Sequence, residues 1–241
     1  MALIKLTAMV DNISGKLNGT VFARNKGGHY VRSKSNPTNP RSAFQMNVRG
    51  ILAGIAGKWR ELTQGQRNAW DAAAPDFPYQ NKLGDTKVYS GFNLFMKLNQ
   101  NLSILNLGLS ALNSPPTPVS VPSPTIVTGG FAVNAAQDAI ELAEVDLDFI
   151  PTGAASIAVI YATAPISNGV KNFKNRLRMV SQIPIPSTGN TLTVNIGTQY
   201  GVRFGVPEVD TKIGYGVRII STVSGQASPL VTGETVVYAG D

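Results

Sequence analysis

A stretch near the start of the chain concentrates positive charge without a compensating acid. Residues 18–45 contain no Asp or Glu, and their cations are Arg24, Lys26, Arg32, Lys34 and Arg41. Guanidinium and ammonium groups without anionic neighbours bind carboxylates and phosphates through charge-assisted hydrogen bonds. We therefore expect these five side chains to form an anchoring surface. Three uses are open: docking on an acidic protein surface, contact with nucleic acid, or a solvated face.

The charge of the whole chain is distributed in the same uneven way. The formal net charge is +7, and residues 1–60 hold ten Lys and Arg against Asp11 alone. Residues 101–241 hold seven basic and nine acidic residues. This asymmetry predicts that the N-terminal segment faces an acidic partner, or at least tolerates one.

Residues suited to catalysis are scarce. His29 is the single histidine and the chain has no cysteine, so thiolate nucleophiles, disulfides and thiolate metal sites are excluded. No acidic residue lies near His29 in sequence, and Gly27-Gly28 lacks the strand and helix context of a phosphate-binding loop. The sequence therefore predicts a non-enzymatic protein with no cofactor and no metal site.

Two short runs in the second half of the chain alternate charged residues with uncharged, mostly apolar ones. The charged positions are Glu144, Asp146 and Asp148 in the first run and Lys174, Arg176 and Arg178 in the second. Period two is typical of a strand with one buried face, so both runs are predicted as strands. We expect an assembly contact in which the acidic run of one copy meets the basic run of the next. Pairing within the chain and solvated faces are the alternatives. Calcium binding is not favoured, because one strand cannot enclose the ion.

Trp59 and Trp70 lie in WRELTQGQRNAW, a stretch that mimics a helix-turn-helix. Their helical spacing in line with apolar neighbours predicts that they pack in the core of a helical hairpin. Stacking on bases is the alternative. For reading base edges the second helix offers mainly Arg67 and Asn68, so sequence-specific DNA recognition is not favoured.

The N-terminal part of the chain is predicted to contain a β-hairpin. Residues 2–10 and 17–34 are the strand regions, and the turn lies at residues 25–28, where glycines accept positive φ. The first helix is expected to follow Asn39 as N-cap, with Pro40 at its first position.

Two further helices are predicted after the first. Thr63 and Gln66 match a capping box at the start of the second helix, which ends before Pro75. The third helix is expected to begin near Ser90. Residues 1–113 are thus predicted to form a basic domain of a β-hairpin plus three helices.

Proline marks the predicted domain boundary. Residues 114–124 contain five prolines, which predicts an extended, semi-rigid linker. Short strands with turn signals between them then predict an antiparallel β-sandwich over residues 125–241. The predicted strands are 125–132, 139–149, 155–163, 172–183, 190–197, 213–222 and 231–238. The expected fold class is therefore α+β multidomain, ending in an immunoglobulin-like or fibronectin III-like sandwich.

The order of elements in residues 15–102 resembles a group of mostly uncharacterised proteins encoded among the structural genes of tailed bacteriophages. The matching positions are Gly19, Arg32, Asn39-Pro40, Gln45, Arg49, Trp59, Leu62-Thr63, Gln66-Arg67, Trp70, Gly91-Phe92 and Leu94-Phe95. Residues 214–229 resemble the end of a fibronectin III or immunoglobulin-like module. The first resemblance implies a virion protein and brings no catalytic residues with it.

Together these features predict a non-enzymatic structural protein of a tailed-phage virion. We expect the basic domain to attach it to the capsid or head–tail connector. The expected partners are other virion proteins (capsid, portal or connector) and further copies of the chain. The expected location is the virion, after synthesis in the host bacterial cytoplasm.

Two other functions are kept as alternatives. One is a nucleic-acid-binding protein that uses the basic hairpin and helices. The other is a host-surface-binding protein that uses the sandwich loops. Such a protein would need exposed aromatics, and the candidates, Tyr161, Tyr200 and Tyr215, are few. No apolar run reaches the roughly 20 residues that span a bilayer, and the N-terminal apolar stretch is too short for a secretory signal. Neither a membrane partner nor export by that route is expected.

Overall fold

The structure is a computed structural model, and it describes residues 2–6, 10, 12–25, 28–81, 83–106, 112–134, 136–149, 155–186 and 190–240. The chain divides into two compact units. Unit 1 comprises residues 1–96 and 113–115, and unit 2 comprises residues 97–112 and 116–241. Helices accompany a large curled β-sheet, so the α+β composition is as predicted.

Unit 1 begins with a small antiparallel sheet. Its strands are β1 (Ala2–Leu3), β2 (Gly15–Leu17), β3 (Thr20–Asn25) and β4 (Gly28–Ser33), in the spatial order β1–β4–β3–β2. The predicted hairpin is the β3–β4 pair, closed by Asn25 opposite Gly28. Gly28 has φ of 112°, which side chains with a Cβ rarely adopt. The strand predicted over residues 2–10 ends at Leu3, and residues 7–9 lie outside the described residues.

Helix α1 (Ala43–Glu61) begins later than predicted. Its N-cap is Ser42, whose hydroxyl accepts a hydrogen bond from a first-turn backbone amide. The prediction of Asn39-Pro40 as the helix start is therefore wrong. Arg41 has φ of 48°, a left-handed conformation that an α-helix does not include, so the helix starts only after it. The Asn39 side chain instead accepts a hydrogen bond of 2.9 Å from Arg49.

Helix α2 (Gln64–Ala73) begins with the predicted capping box. The Thr63 hydroxyl accepts a hydrogen bond from the Gln66 amide, and the Gln66 side chain accepts one from the Thr63 amide. A 3-10 turn and a two-stranded ribbon of β5 (Tyr79–Gln80) and β6 (Thr86–Lys87) follow. Helix α3 (Gly91–Ile104) then begins one residue after Ser90, close to its predicted start.

Unit 2 is built on a sheet of seven strands. They are β7 (Thr125–Val133), β8 (Ile140–Asp148), β9 (Ser156–Ala162), β10 (Arg178–Pro184), β11 (Thr191–Asn195), β12 (Lys212–Ser221) and β13 (Val231–Ala239). Their spatial order is β10–β9–β12–β13–β7–β8–β11. All seven predicted strands are present, although β10 begins at Arg178 rather than at 172.

One strand pair departs from the predicted antiparallel arrangement. β13 runs parallel to β7, whereas the other pairs in this sheet are antiparallel. These are the first and last strands of the sheet, and no hairpin connects them, so nothing forces their directions to oppose. The prediction of a wholly antiparallel sheet is wrong at this pair.

A hydrophobic core lies inside the curl of the large sheet. Side chains from five strands across the spatial order meet there: Phe131, Val145, Ile160, Val194 and Val217. Helix α4 (Gly197–Phe204) adds Tyr200, which is fully buried. Because strands distant in the spatial order share these contacts, the sheet encloses the core instead of lying flat.

The second half of α3 belongs to unit 2 and packs on the outer face of this sheet. Leu105, the residue directly after α3, packs with Val159 of β9 and Ile220 of β12. The Asn101 side chain donates a hydrogen bond of 2.7 Å to the Gly225 carbonyl and accepts one of 2.9 Å from Arg218. The division between the packed units therefore falls inside α3.

The proline-rich stretch 114–124 contains neither helix nor strand. The Val119 amide donates a hydrogen bond of 2.6 Å to the Gln226 side chain, and Pro124 is buried. From Pro116 onward the stretch belongs to unit 2. The domain boundary placed in this stretch differs from the packing division in α3, and it stays a prediction.

Candidate anchoring surface

The β3–β4 hairpin sets the directions of its cationic side chains. Arg24 pairs directly with His29, and Val21 pairs with Arg32. Paired residues point to one face, and side chains alternate between faces along a strand. Since Val21 and Arg24 are three positions apart on β3, Arg24 and Arg32 lie on opposite faces. The small sheet therefore presents positive charge on both sides.

Four of the five predicted anchoring cations can be located. Arg24, Arg32, Lys34 and Arg41 are all exposed. Among the described residues, none of these four side chains forms an ion pair with an acidic group. The fifth, Lys26, lies outside the described residues. These cations are thus available to bind an anionic partner.

Other lysines of the chain do have acidic partners. Lys5 binds Asp85 at 2.9 Å, and Lys58 binds Glu61 at the same distance. The hydrogen bond from Lys5, followed by one from Asn81, lowers the pKa of Asp85. Lys5 and Lys58 are thus solvent-accessible and still have an acidic partner, whereas the four located cations of the anchoring surface have none among the described residues.

His29 lies half-buried beside the hairpin turn. Its backbone carbonyl accepts a hydrogen bond of 3.1 Å from the Ile4 amide, which attaches the N-terminal segment to the sheet. Its buried Nδ1 atom has no hydrogen-bond partner among the described residues. Among the described residues, no ion pair joins His29 to a carboxylate.

Of the two tryptophans predicted to be core residues, Trp70 is buried inside unit 1, whereas Trp59 is only half-buried. Trp70 is fully buried, and its ring centroid lies 5.3 Å from that of Phe95. Trp59 is half-buried and lies 5.2 Å from Phe95 and 5.5 Å from Phe92. The Trp70 indole N–H donates a hydrogen bond of 3.1 Å to the Asn113 carbonyl. Both rings therefore pack against aromatic side chains of the same unit.

Polar side chains of α2 are also engaged within the unit. Arg67 donates a hydrogen bond of 2.8 Å to the carbonyl of Arg60 near the end of α1. Gln64 donates one of 2.8 Å to Asn68. Because the residues suited to reading base edges bind their own neighbours, this geometry favours the packing interpretation over a helix-turn-helix.

The acidic run lies on β8, as predicted, with its apolar neighbours in the core. Asp146 faces Thr128 of β7 and Thr193 of β11, and both hydroxyls donate hydrogen bonds to its carboxylate. These two hydrogen bonds, that from Thr128 first, lower the pKa of Asp146. No cluster of possible metal ligands occurs among the residues that the structure places.

The basic run is not a strand of period two, and that prediction is wrong. Lys174 and Arg176 lie in a 3-10 turn, and only Arg178 begins a strand. The reason is packing: the Phe173 ring occupies the space where a Cβ of Gly214 would be. The segment is therefore seated across the outer face of β12 instead of extending β10. Glycine at alternate positions of a predicted strand was the sequence signal for this close approach.

Pairing between the acidic and basic runs within one chain does not occur in the described residues. The hydrogen-bonded neighbours of β8 are β7 and β11, and four strands separate β8 from β10 in the spatial order. No described ion pair joins the two runs. Each run is left facing solvent.

The tyrosines considered for a host-surface site are largely internal. Tyr200 and Tyr215 are 0% and 4% exposed, and the Tyr200 hydroxyl donates a hydrogen bond of 3.0 Å to the Thr163 carbonyl. Burial raises the pKa of both phenols and of the half-buried Tyr161. These side chains support the sheet and offer no exposed aromatic platform.

No protein-family model matches the chain, and no curated protein is significantly similar to it. A solved structure to which it is similar is the solution structure of the third fibronectin III domain of the human KIAA0343 protein. The identity is 11%, the match covers 55% of this chain and 95% of that chain, and the TM-score is 0.28. Among the residues described, no helix has the length and apolarity needed to cross a membrane. These comparisons assign no function to the chain.

Proposed function

We propose that this chain is a non-enzymatic structural protein of a tailed-phage particle, attached to the capsid or head–tail connector through its N-terminal sheet. The observation that carries the proposal is the set of exposed cations on both faces of the β3–β4 hairpin, unpaired within the described residues. The resemblance of residues 15–102 to proteins encoded among tailed-phage structural genes supports placing the partner in a virion.

The geometry favours a partner that surrounds the hairpin tip. Arg24 and Arg32 point to opposite faces of the small sheet. A flat acidic surface can therefore contact only one of these two side chains. A cleft lined by carboxylates contacts both. Complementary charge of this kind speeds encounter and selects the partner.

The proposal extends to the fold of unit 2, which we take to be an immunoglobulin-like or fibronectin III-like sandwich. Strands β10–β9–β12–β13 and β7–β8–β11 form two groups joined at the parallel pair of β13 and β7. The two groups contribute to one core, which is the arrangement of two packed layers in such a sandwich. Its role in the particle is lateral or outward contact.

Incorporation into particles tests the anchoring role. The variant carries serine at Arg24, Arg32, Lys34 and Arg41, and particles purified from infected cells are analysed by mass spectrometry. We expect the variant chain to fold and to be absent from the particles. A matched control carries serine at Lys58, Arg60, Lys87 and Arg203 and loses the same charge elsewhere. Normal incorporation of the first variant would show that these cations are not the anchor.

Binding to nucleic acid is the second outcome that this surface allows. Neutralising phosphates releases counterions, so such binding weakens steeply as salt rises. The wild-type chain is tested for binding to duplex DNA. If it binds with this salt dependence, and the four serine substitutions abolish the binding, then the partner is DNA and not a virion protein. Equal, weak binding by the wild type and the variant leaves the acidic protein surface as the partner.

A further inference from the structure

Unit 2 carries a second cationic surface, which the proposed anchoring does not use. Lys171, Lys174, Arg176 and Arg178 are all exposed, and we call residues 171–178 the basic segment. The sequence holds no Asp or Glu between Asp148 and Glu208. Among the described residues, none of the four cations has an acidic partner.

The basic segment is held in a defined conformation. Phe173 is 6% exposed and lies over Gly214, while Leu177 lies over Gly216 of the same strand. The Arg178 guanidinium donates hydrogen bonds of 3.2 Å and 3.0 Å to the carbonyls of Asn175 and Leu177. Because the backbone is already ordered, binding a partner here loses little conformational entropy.

A surface of opposite charge lies on another part of the same unit. Glu144, Asp146 and Asp148 point outward from β8, and we call the outer side of β7, β8 and β11 around them the acidic face. Threonines stand opposite two of these carboxylates on both neighbouring strands: Thr125, Thr128, Thr191 and Thr193. Small polar neighbours leave the carboxylates accessible: Asp148 is exposed, and Glu144 and Asp146 are half-buried.

The two surfaces cannot satisfy each other within one chain. The basic segment is seated on β12, and β13 and β7 lie between β12 and β8 in the spatial order. The curled sheet encloses a core between these strands, so the outer sides of β12 and β8 face away from each other. Both surfaces are therefore left without a partner of opposite charge from the other and are available to a second molecule.

We propose that the basic segment of one copy docks on the acidic face of a second copy. The contact joins two different surfaces, so each bound copy leaves one surface of each sign free for a further copy. Repetition gives a ring if the rotation closes and a filament if it does not. This contact uses unit 2 alone and does not require the proposed anchoring role.

Sedimentation of the full chain over a range of concentrations tests the contact. One variant replaces Lys171, Lys174 and Arg176 with glutamate and keeps Arg178, because the Arg178 hydrogen bonds hold the turn. A second replaces Glu144 and Asp148 with lysine and keeps Asp146. Each variant alone should self-associate at least about tenfold more weakly than the wild type, and added salt should weaken the wild-type contact, since about 0.1 M salt screens charges beyond roughly 10 Å.

Mixing the two variants gives the sharpest result. In the mixture each reversed surface meets a complementary one, so association should return to near the wild-type level. A variant with glutamate at Arg24, Arg32 and Lys34 is the control for net charge. It should associate like the wild type even where it fails to enter particles, which separates this contact from the anchoring role.

Three results would overturn the proposal: a wild-type chain that stays monomeric at all concentrations, a triple variant that associates normally, or a mixture that does not recover. Circular dichroism checks that each variant is folded. If the lysine variant does not fold, Glu144→Gln with Asp148→Asn replaces it, and unchanged association of that milder variant counts equally against the contact.

Discussion

The N-terminal sheet and the seven-stranded sheet use the same secondary structure but are stabilised differently. Among the described side chains of β1 to β4, Val21 alone is buried, at 8% exposed. In β12, nine of the ten residues are buried. The large sheet has its own core, whereas the small one keeps most of its side chains in contact with solvent. A sheet that does not depend on its side chains for a core can use them to bind a partner.

Strand length explains the difference. β1 and β2 contain two and three residues and β3 and β4 contain six each, so this four-stranded sheet is too small to curl around a core of its own. β7, β8, β12 and β13 contain nine or ten residues each, which is enough to twist, curl and bring distant strands together. The small sheet therefore contributes surface, and the large sheet contributes stability.

The largest expected effect is in the core of the large sheet. Phe131 is fully buried and its ring centroid lies 5.1 Å from that of Tyr200. Phe131→Ala should lower the free energy of unfolding of this region by about 3–5 kcal/mol, because it leaves a cavity among packed side chains. Hydrogen exchange of β12 peptides in the full chain measures the effect. Exchange unchanged from the wild type would mean that the core is not the source of stability.

A smaller effect is expected at the buried position of the small sheet. Val21→Ala removes two methyl groups from the one buried side chain described in this sheet, and should destabilise the hairpin by about 1–2 kcal/mol. The matching readout is hydrogen exchange of β3 and β4 peptides, with β12 peptides as the internal control. A loss as large as that of Phe131→Ala would contradict the contrast between the sheets.

The outer face of the large sheet provides a pH-dependent test. Hydrogen bonds from Thr128 and Thr193 lower the pKa of Asp146 below its ordinary 3.8. Because the folded-state pKa is lowered, the ionised carboxylate stabilises the fold at every pH above the ordinary pKa of the unfolded chain. This contribution to the free energy of unfolding is lost as the pH falls through the lowered pKa. Thr128→Val with Thr193→Val should raise the pKa of Asp146, followed by carboxyl NMR. Thr191→Val, opposite Asp148, is the control and should leave it unchanged.

The smallest effect on stability is expected at the hairpin arginines that are proposed to bind the acidic partner. Arg24→Ser with Arg32→Ser removes exposed side chains that lack an acidic partner in the described chain, so the free energy of unfolding should change by less than about 0.5 kcal/mol. Chemical denaturation of the full chain measures it. A destabilisation of several kcal/mol would mean that these arginines stabilise the small sheet. The small sheet would then not differ from the large one in the way proposed.

Local patterns were sufficient for many elements. The alternation of β8 and the turn signals around it predicted that strand almost to its ends, and Thr63 and Gln66 predicted the start of α2. Both depend on residues within a few positions of each other, so sequence spacing carries the information. Asn39 and Pro40 match the residue preferences of a helix start equally well. The prediction of a helix there is nevertheless wrong, because Arg41 adopts a left-handed conformation.

The sequence by itself determined where charge and apolar residues alternate, and hence which stretches of this chain can be strands or helices. Only the tertiary structure decided which charges have partners. Asp146 is bonded by threonines 18 and 47 positions away, while Lys174 and Arg176 left the predicted strand because Phe173 and Leu177 pack on Gly214 and Gly216. Alternation is a property of neighbouring residues. Pairing depends on which distant strands the curl of the sheet brings together.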